Sequence, residues 1–358
     1  MESSAATNRQ PYLDMLRVLA ILLVLFNHTG TAGYFRFAET ANPALSWCYL
    51  TASIFCTAGV PLFYMVSGAL LLPKTESLSQ LYRRRVLRTA LALLLFSLLQ
   101  YLYNTLGKGV PGSPIDFLRT LYGGQATLAY WFLYAYLAAL MTLPFLRSMA
   151  AGMTRGEYRY FFILYFAFCC ALPVLEELLF SGSLRLSPYM TLPLTTASSV
   201  VYMLLGHYLN NVLTREELTG KRVLLLCLMA ALGLTVSGLM TLRQARITGV
   251  LNEQVSQGWF GSFTVLSASA AFCLIRRACG VKTPSRRLSR VFAVLSGCTF
   301  GLYLIHVMLM DLLIGVRYYL EGRIYTLPAC LVYLLCVAAA GYGITWLLKK
   351  IPFLGRLL

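Results

Sequence analysis

The sequence is poor in charge, and poorer still in acid. Only 12% of its 358 residues are Asp, Glu, Lys or Arg, about half the share carried by soluble domains. There are 13 acids against 30 Lys and Arg, and three histidines. The ten cysteines form no CxxC motif and no pairing with histidine, and most lie inside apolar runs. Their spacing therefore argues against a disulfide framework or a metal site, and they read as small buried hydrophobes. The net charge of +17 comes with no nucleic-acid-binding motif. Internal repeats, low-complexity tracts and an appended soluble domain are also missing. Residues 1–10, MESSAATNRQ, are polar, and the run behind them exceeds the roughly 7–15 residues of a signal h-region, so no cleavable signal is expected.

What fills the chain instead is apolar: 58% of residues are hydrophobic. Runs of spanning length fall at about 13–35, 45–72, 86–106, 127–146, 160–181, 191–212, 222–242, 259–275, 291–314 and 327–347. The expectation is an all-α integral membrane protein, a single bundle of about ten transmembrane helices. Of the 30 Lys and Arg, 22 fall on one side of that layout and 8 on the other. The asymmetry places both termini in the cytoplasm. The outer connections at about 107–125 and 243–257 are the longest, and residues 173–190 are expected to extend the fifth helix outward. Gly297 and Gly301 have the small-xxx-small spacing that lets helices pack closely.

Tyr12 to Gly30, YLDMLRVLAILLVLFNHTG, puts Asp14, Arg17, Asn27 and His28 on the first of these runs. Ionisable groups in a spanning segment are expensive unless paired or functional. Arg17 and His28 are three helical turns apart, roughly 16 Å along the axis and on nearly one face. His28 is expected deep in the membrane, roughly 20–25 Å from the start of the helix. A neutral imidazole suits proton abstraction from a hydroxyl, or attack on an acyl group. Asp14 and Arg17, near the cytoplasmic surface, are expected to hold a ligand or each other. A second cluster, YRRRVLR from Tyr82 to Arg88, opens the third helix. Arg84 and Arg88, and Arg85 and Arg88, share helical faces and suit bidentate phosphate binding. Tyr130 and Trp131 stand at the outer end of the fourth helix, as does an aromatic belt. Glu176, Glu177 and Asp311 face outward, as sugar-binding groups or as rim charges. His207 reads as structural, and His306 as structural or functional in equal measure.

In combination these segments resemble the acyltransferase-3 family of polytopic membrane acyltransferases. The resemblance rests on LDMLRVLAILLVLFNH (Leu13 to His28, an Arg-x10-His pattern), VPLFYMVSGALLL (Val60 to Leu72) and RRVLR (Arg84 to Arg88). WFLYAYL (Trp131 to Leu137), YMLLGHYL (Tyr202 to Leu209) and TFGLYLIH (Thr299 to His306) follow in family order. Where many members have His-Leu before the tryptophan, this chain has Ala129-Tyr130, and Tyr130 offers a hydroxyl instead. The resemblance implies a stand-alone bacterial plasma-membrane O-acyltransferase. It would move an acetyl group from cytosolic acetyl-CoA to a hydroxyl of an envelope glycan or lipid-linked saccharide at the outer face. His28 would be general base or acyl carrier, with Arg17, Arg84, Arg85, Arg88 and Ser67 on the donor side. Asp14, Asn27, Tyr130, Trp131, Glu176, Glu177, Tyr303 and His306 would support the site or the acceptor. No metal is expected. A polytopic transporter or channel is the alternative, although no paired repeat halves support it.

Overall fold

The computed structural model describes residues 9–181, 183–251 and 258–358. The polar leader at 1–8 and the 252–257 part of the second outer connection lie outside them. Within the described residues the chain is helical, with no strand. Apolar segments of this kind satisfy their backbone groups internally, as a bilayer demands.

Among the described residues seven helical segments are long and apolar enough to cross a membrane: Pro43–Leu71, Leu78–Gly107, Arg155–Phe180, Gly220–Thr248, Thr264–Val281, Arg286–Leu312 and Thr326–Leu348. An eighth forms if the pair Leu128–Met141 and Leu143–Gly152, bent by 60°, is one span. Pro144 stands at the start of the second half, where it cannot continue the preceding hydrogen-bond ladder. Two further apolar segments fold as shorter helices, Pro11–Asn27 and Ser198–His207. A widened π turn extends the second of these through Tyr208–Val212.

In chain order the helices are α1 (Pro11–Asn27), α2 (Pro43–Cys56), α3 (Gly59–Leu71), α4 (Leu78–Gly107) and α5 (Pro114–Gly123). Then come α6 (Trp131–Met141), α7 (Leu143–Gly152), α8 (Arg155–Phe180), α9 (Ser198–His207) and α10 (Gly220–Thr248). The last are α11 (Thr264–Val281), α12 (Arg286–Leu312), α13 (Ile314–Glu321), α14 (Thr326–Leu348) and α15 (Pro352–Leu357).

Of the boundaries that depart from the sequence reading, three concern the end of α1 and the connections. Helix α1 stops at Asn27, because Gly30 takes a left-handed φ of 56° and the chain turns into a short 3-10 segment, Gly30–Ala32. Helix α10 continues to Thr248, where Gly249 at φ 71° ends it, so Arg243 and Arg246 are helical. The connection at 107–125 contains α5, capped by the Ser113 side chain. Helix α8 passes through Pro173, Glu176 and Glu177 and ends at Phe180, and residues 183–190 are not helical.

Helix α1 is the axis of the bundle. Its Leu16, Ala20, Ile21 and Leu25 are fully buried, and it packs on α3, α11 and α12. Helix α3 crosses α9 backbone to backbone at Gly68 and Gly206: a Cβ on either would lie 1.9 Å from the carbonyl oxygen of Met203 or Met65. Helices α12 and α14 approach through Gly301, where a Cβ would meet the Thr345 side chain at 2.3 Å. Small residues thus let backbones meet where lipid supplies no hydrophobic drive for helix association. The outward face of α10 is lined with exposed leucines, among them Leu224, Leu228 and Leu232, as expected of a helix bordering acyl chains.

Candidate active site

At one end of the bundle the chain enters α4 through a capping box between Ser77 and Gln80. The helix then widens into a π turn over Tyr82–Val86. Such turns insert a residue and change the helical phase. Arg84 and Arg85, inside the turn, and Arg88, one turn beyond, all line one cavity of about 400 Å³. Arg17 of α1 and Lys349, just after α14, complete the basic lining, together with Ser67 and Tyr136. Phe63, Phe132, Phe300 and Tyr303 form its aromatic wall.

The five cations differ in how far they are satisfied. Glu76 forks onto Arg85 (Oε2 to Nε 2.9 Å, Oε1 to Nη2 2.5 Å) and also accepts from Arg147 Nη2 at 2.8 Å. Arg147 donates its Nε to the Leu71 carbonyl, which ties α7 to the end of α3. Arg85, with Arg147 behind it, holds the Glu76 carboxyl down at about 2. Among the described residues Arg17 hydrogen-bonds only to the Ser296 hydroxyl, at 3.4 Å. Arg88 donates Nε to the Leu357 carbonyl at 3.0 Å, and Lys349 donates to that of Gly297 at 2.8 Å. No carboxylate side chain lines the cavity among the described residues. An enclosure with that surplus of cation suits a polyanion, and guanidinium groups suit phosphate above all.

The opposite end of α1 carries the histidine. His28 is the C-cap residue, its N–H on the Leu25 carbonyl, and its side chain is exposed. The helix ends one residue before it, so His28 stands at the tip of α1, roughly 25 Å from Pro11 at 1.5 Å per residue. His306 on α12 is completely buried, with its ring centroid 5.0 Å from that of His28. His306 Nδ1 lies 2.6 Å from the Tyr303 carbonyl. Asn27 donates to the Cys56 carbonyl at 3.1 Å.

Tyr303 connects the two ends. Its ring borders the basic cavity, meets Phe132 at 5.3 Å, and lies 5.4 Å from His306. Its hydroxyl donates to the Ala129 carbonyl, while the Tyr130 hydroxyl donates to that of Leu304 at 2.6 Å. The Tyr130 hydroxyl is therefore engaged in holding α12.

Arg17, Arg84, Arg85, Arg88, Ser67 and Tyr303 are gathered around one cavity, and Asn27, His28 and His306 lie beyond it at the far end of α1. Other candidates lie apart or are engaged elsewhere. Asp14 pairs with Arg9 at 2.7 Å, not with Arg17. Trp131 is exposed and does not line the cavity. Glu176 accepts from the Leu186 backbone at 2.7 Å, Glu177 faces Arg243 at 3.7 Å, and Asp311 pairs with Lys108 at 2.5 Å. Each of these three carboxylates has a partner within the chain. His207 shares a hydrogen bond with Asn211 at 3.2 Å, in keeping with a structural role. Sequence reasoning did not single out Lys349, Tyr136 or Glu76. Lys349 looked like one more positive residue after a helix, and nothing local in the sequence marks it otherwise.

A family model described as an acyltransferase domain matches residues 10–348. No curated protein and no solved structure matches the chain.

Proposed function

The chain belongs to the acyltransferase-3 family and is a multi-pass membrane acyltransferase, and from that premise we propose that it carries acetyl groups from cytosolic acetyl-CoA to an acceptor hydroxyl outside the cell. The single observation that supports this most is the cavity with five cations in its lining and no acidic side chain among its described lining residues. Its charge suits the pyrophosphate and 3′-phosphate of a coenzyme A nucleotide, and its aromatic wall suits the pantetheine arm.

The topology in this reading has ten spans. It adds α1, α9 with its π turn and the bent α6–α7 pair to the seven long segments. The 22-to-8 division of Lys and Arg supports a cytoplasmic basic end. The donor nucleotide stays there while its thioester extends along α1 toward His28, roughly 16 Å above Arg17 at 1.5 Å per residue. The exposure of His28 favours an acceptor arriving from the far side.

In the favoured mechanism His28 takes the proton from the acceptor hydroxyl as its oxygen attacks the thioester carbonyl. The tetrahedral adduct collapses, the C–S bond breaks, and the proton passes from His28 to the departing thiolate. In the other route a bare His28 nitrogen itself attacks the thioester carbonyl, the C–S bond breaks with release of the CoA thiol, and the acceptor hydroxyl then takes the acetyl group from the acetyl-imidazole and restores the free histidine. The acceptor class is an envelope glycan or lipid-linked saccharide of a bacterial plasma membrane.

The test is transfer of labelled acetyl from acetyl-CoA by the purified full chain in liposomes. His28→Ala should lose about 10²–10⁴ of kcat, the usual contribution of a positioned base, while donor binding survives. Undiminished transfer by His28→Ala would remove the assignment.

A further inference from the structure

Beyond His28 itself, and resting on the reading of His28 as the reacting group, we propose that His306 is a positioning residue that dictates which His28 nitrogen carries the proton. His306 is completely buried, and its Nδ1 lies 2.6 Å from the Tyr303 carbonyl. A carbonyl can only accept, so Nδ1 carries the hydrogen and Nε2 is left as a bare lone pair. That Nε2 is enclosed and has no hydrogen-bond partner among the described residues. A buried acceptor left without a donor is costly, and its persistence calls for a use.

The ring nearest in kind is His28, with centroids 5.0 Å apart and planes inclined at 51°. That separation leaves room for one N–H···N hydrogen bond once the two rings turn edge to edge. Only one of them can turn. His306 is held by complete burial, by the Tyr303 carbonyl and by the Tyr303 ring at 5.4 Å. His28 lies just past the last helical residue of α1 and is exposed. Catalytic hydrogen bonds are commonly loose before substrate arrives and tighten afterwards.

In the closed pair, His28 donates one N–H to His306 Nε2, and its second nitrogen is bare and free to face the acceptor. When that nitrogen takes the hydroxyl proton, the imidazolium keeps its first N–H on His306 and gives the new proton to the thiolate. The acetyl-imidazole route needs the same bare nitrogen. His306 thus does for His28 what a buried carboxylate does in a serine triad, by selecting a tautomer, and it never exchanges a proton with substrate.

The chain has only three histidines, so ¹⁵N-histidine labelling of the full protein in lipid nanodiscs gives signals assignable by single substitution. With acceptor-free enzyme and acetyl-CoA, His28 should show one tautomer in the wild type and an average of two in His306→Phe. His306→Phe should lower kcat about 100-fold, in the range a misdirected base costs, with KM for acetyl-CoA unchanged. His306→Gln, whose Oε1 offers an acceptor near the place of Nε2, should recover at least tenfold of that loss. Wild-type kcat with a single His28 tautomer in His306→Phe overturns the inference and leaves the His28 reading standing. Undiminished transfer in His28→Ala overturns that reading instead. Should His306→Phe fail to bind acetyl-CoA, the wild-type spectrum decides: one His28 tautomer supports the inference and two in exchange overturn it.

Discussion

Tyr130 and Tyr303 are tied crosswise, each hydroxyl donating to the backbone beside the other: Tyr130 to the Leu304 carbonyl at 2.6 Å, Tyr303 to the Ala129 carbonyl. The two bonds clamp the start of α6 to the turn of α12 that carries His306. Tyr130→Phe removes one of them while keeping the buried ring. It should lower stability by about 0.5–1.5 kcal/mol and leave the acetyl-CoA KM unchanged. Thermal unfolding in detergent, run beside a donor titration, checks both halves. An unaltered midpoint would mean that the clamp contributes nothing.

Two of the cavity cations, Lys349 and Arg88, are predicted to hold the donor. Lys349→Ala and Arg88→Ala should each raise KM for acetyl-CoA about tenfold while kcat changes little, the pattern of lost ground-state binding. Added salt should weaken donor binding in the wild type and weaken it less in either variant. If Lys349→Ala binds the donor normally, Lys349 belongs to the wall and not to the phosphate site.

Glu76 acts as a brace, since it orients Arg85 and Arg147 from outside the cavity lining. Its carboxyl sits near 2, below the ordinary glutamate value of 4.5, chiefly through the Arg85 hydrogen bond. A folded value below the unfolded one gives stability that is complete above pH 4.5 and is lost as pH falls toward 2. Between pH 8 and pH 5.5 this brace should therefore not change, and Glu76→Gln should alter donor KM equally across that range. Glu76→Gln should also cost about 1–2 kcal/mol, discounted for partial solvent access. A donor KM in Glu76→Gln that converges on the wild type at pH 5.5 would contradict the assignment.

The α3–α9 crossing tolerates no side chain. Gly206→Ala puts a methyl carbon where the Met65 carbonyl oxygen now lies 1.9 Å away, so the two backbones must separate. The expected cost is at the upper end of the about 1–3 kcal/mol seen for overpacking, read as lost folded yield and a lower unfolding midpoint. Gly315→Ala, which meets nothing within 4 Å, is the neutral control.

Much of the architecture is legible from hydropathy, because a spanning helix writes itself as an unbroken apolar run and each of the ten runs contains helix. The donor-side arginines are legible for a related reason: several cations on neighbouring helical faces are visible in the string. The end of α1 is less so. The apolar run continues past His28, while one left-handed glycine, Gly30, turns the chain. Partner choice is the least legible part. Asp14 had Arg17 one turn away and Arg9 five residues back, and it took Arg9. Glu76 found Arg147, 71 residues on, and Lys349 joined Arg17 across nearly the whole chain. Such pairings follow from packing of elements, which local spacing does not encode.

The π turn at Tyr82–Val86 makes the length of this stretch as consequential as its composition. Were the same residues to close into an ordinary helix, everything on the N-terminal side would be rotated by about 100° relative to Arg88. Glu76 and Arg85 would lose their alignment with Arg147 although no residue had been altered. The wide turn thus absorbs one residue's worth of rotation, and a change that relaxed it would uncouple donor recognition from folding.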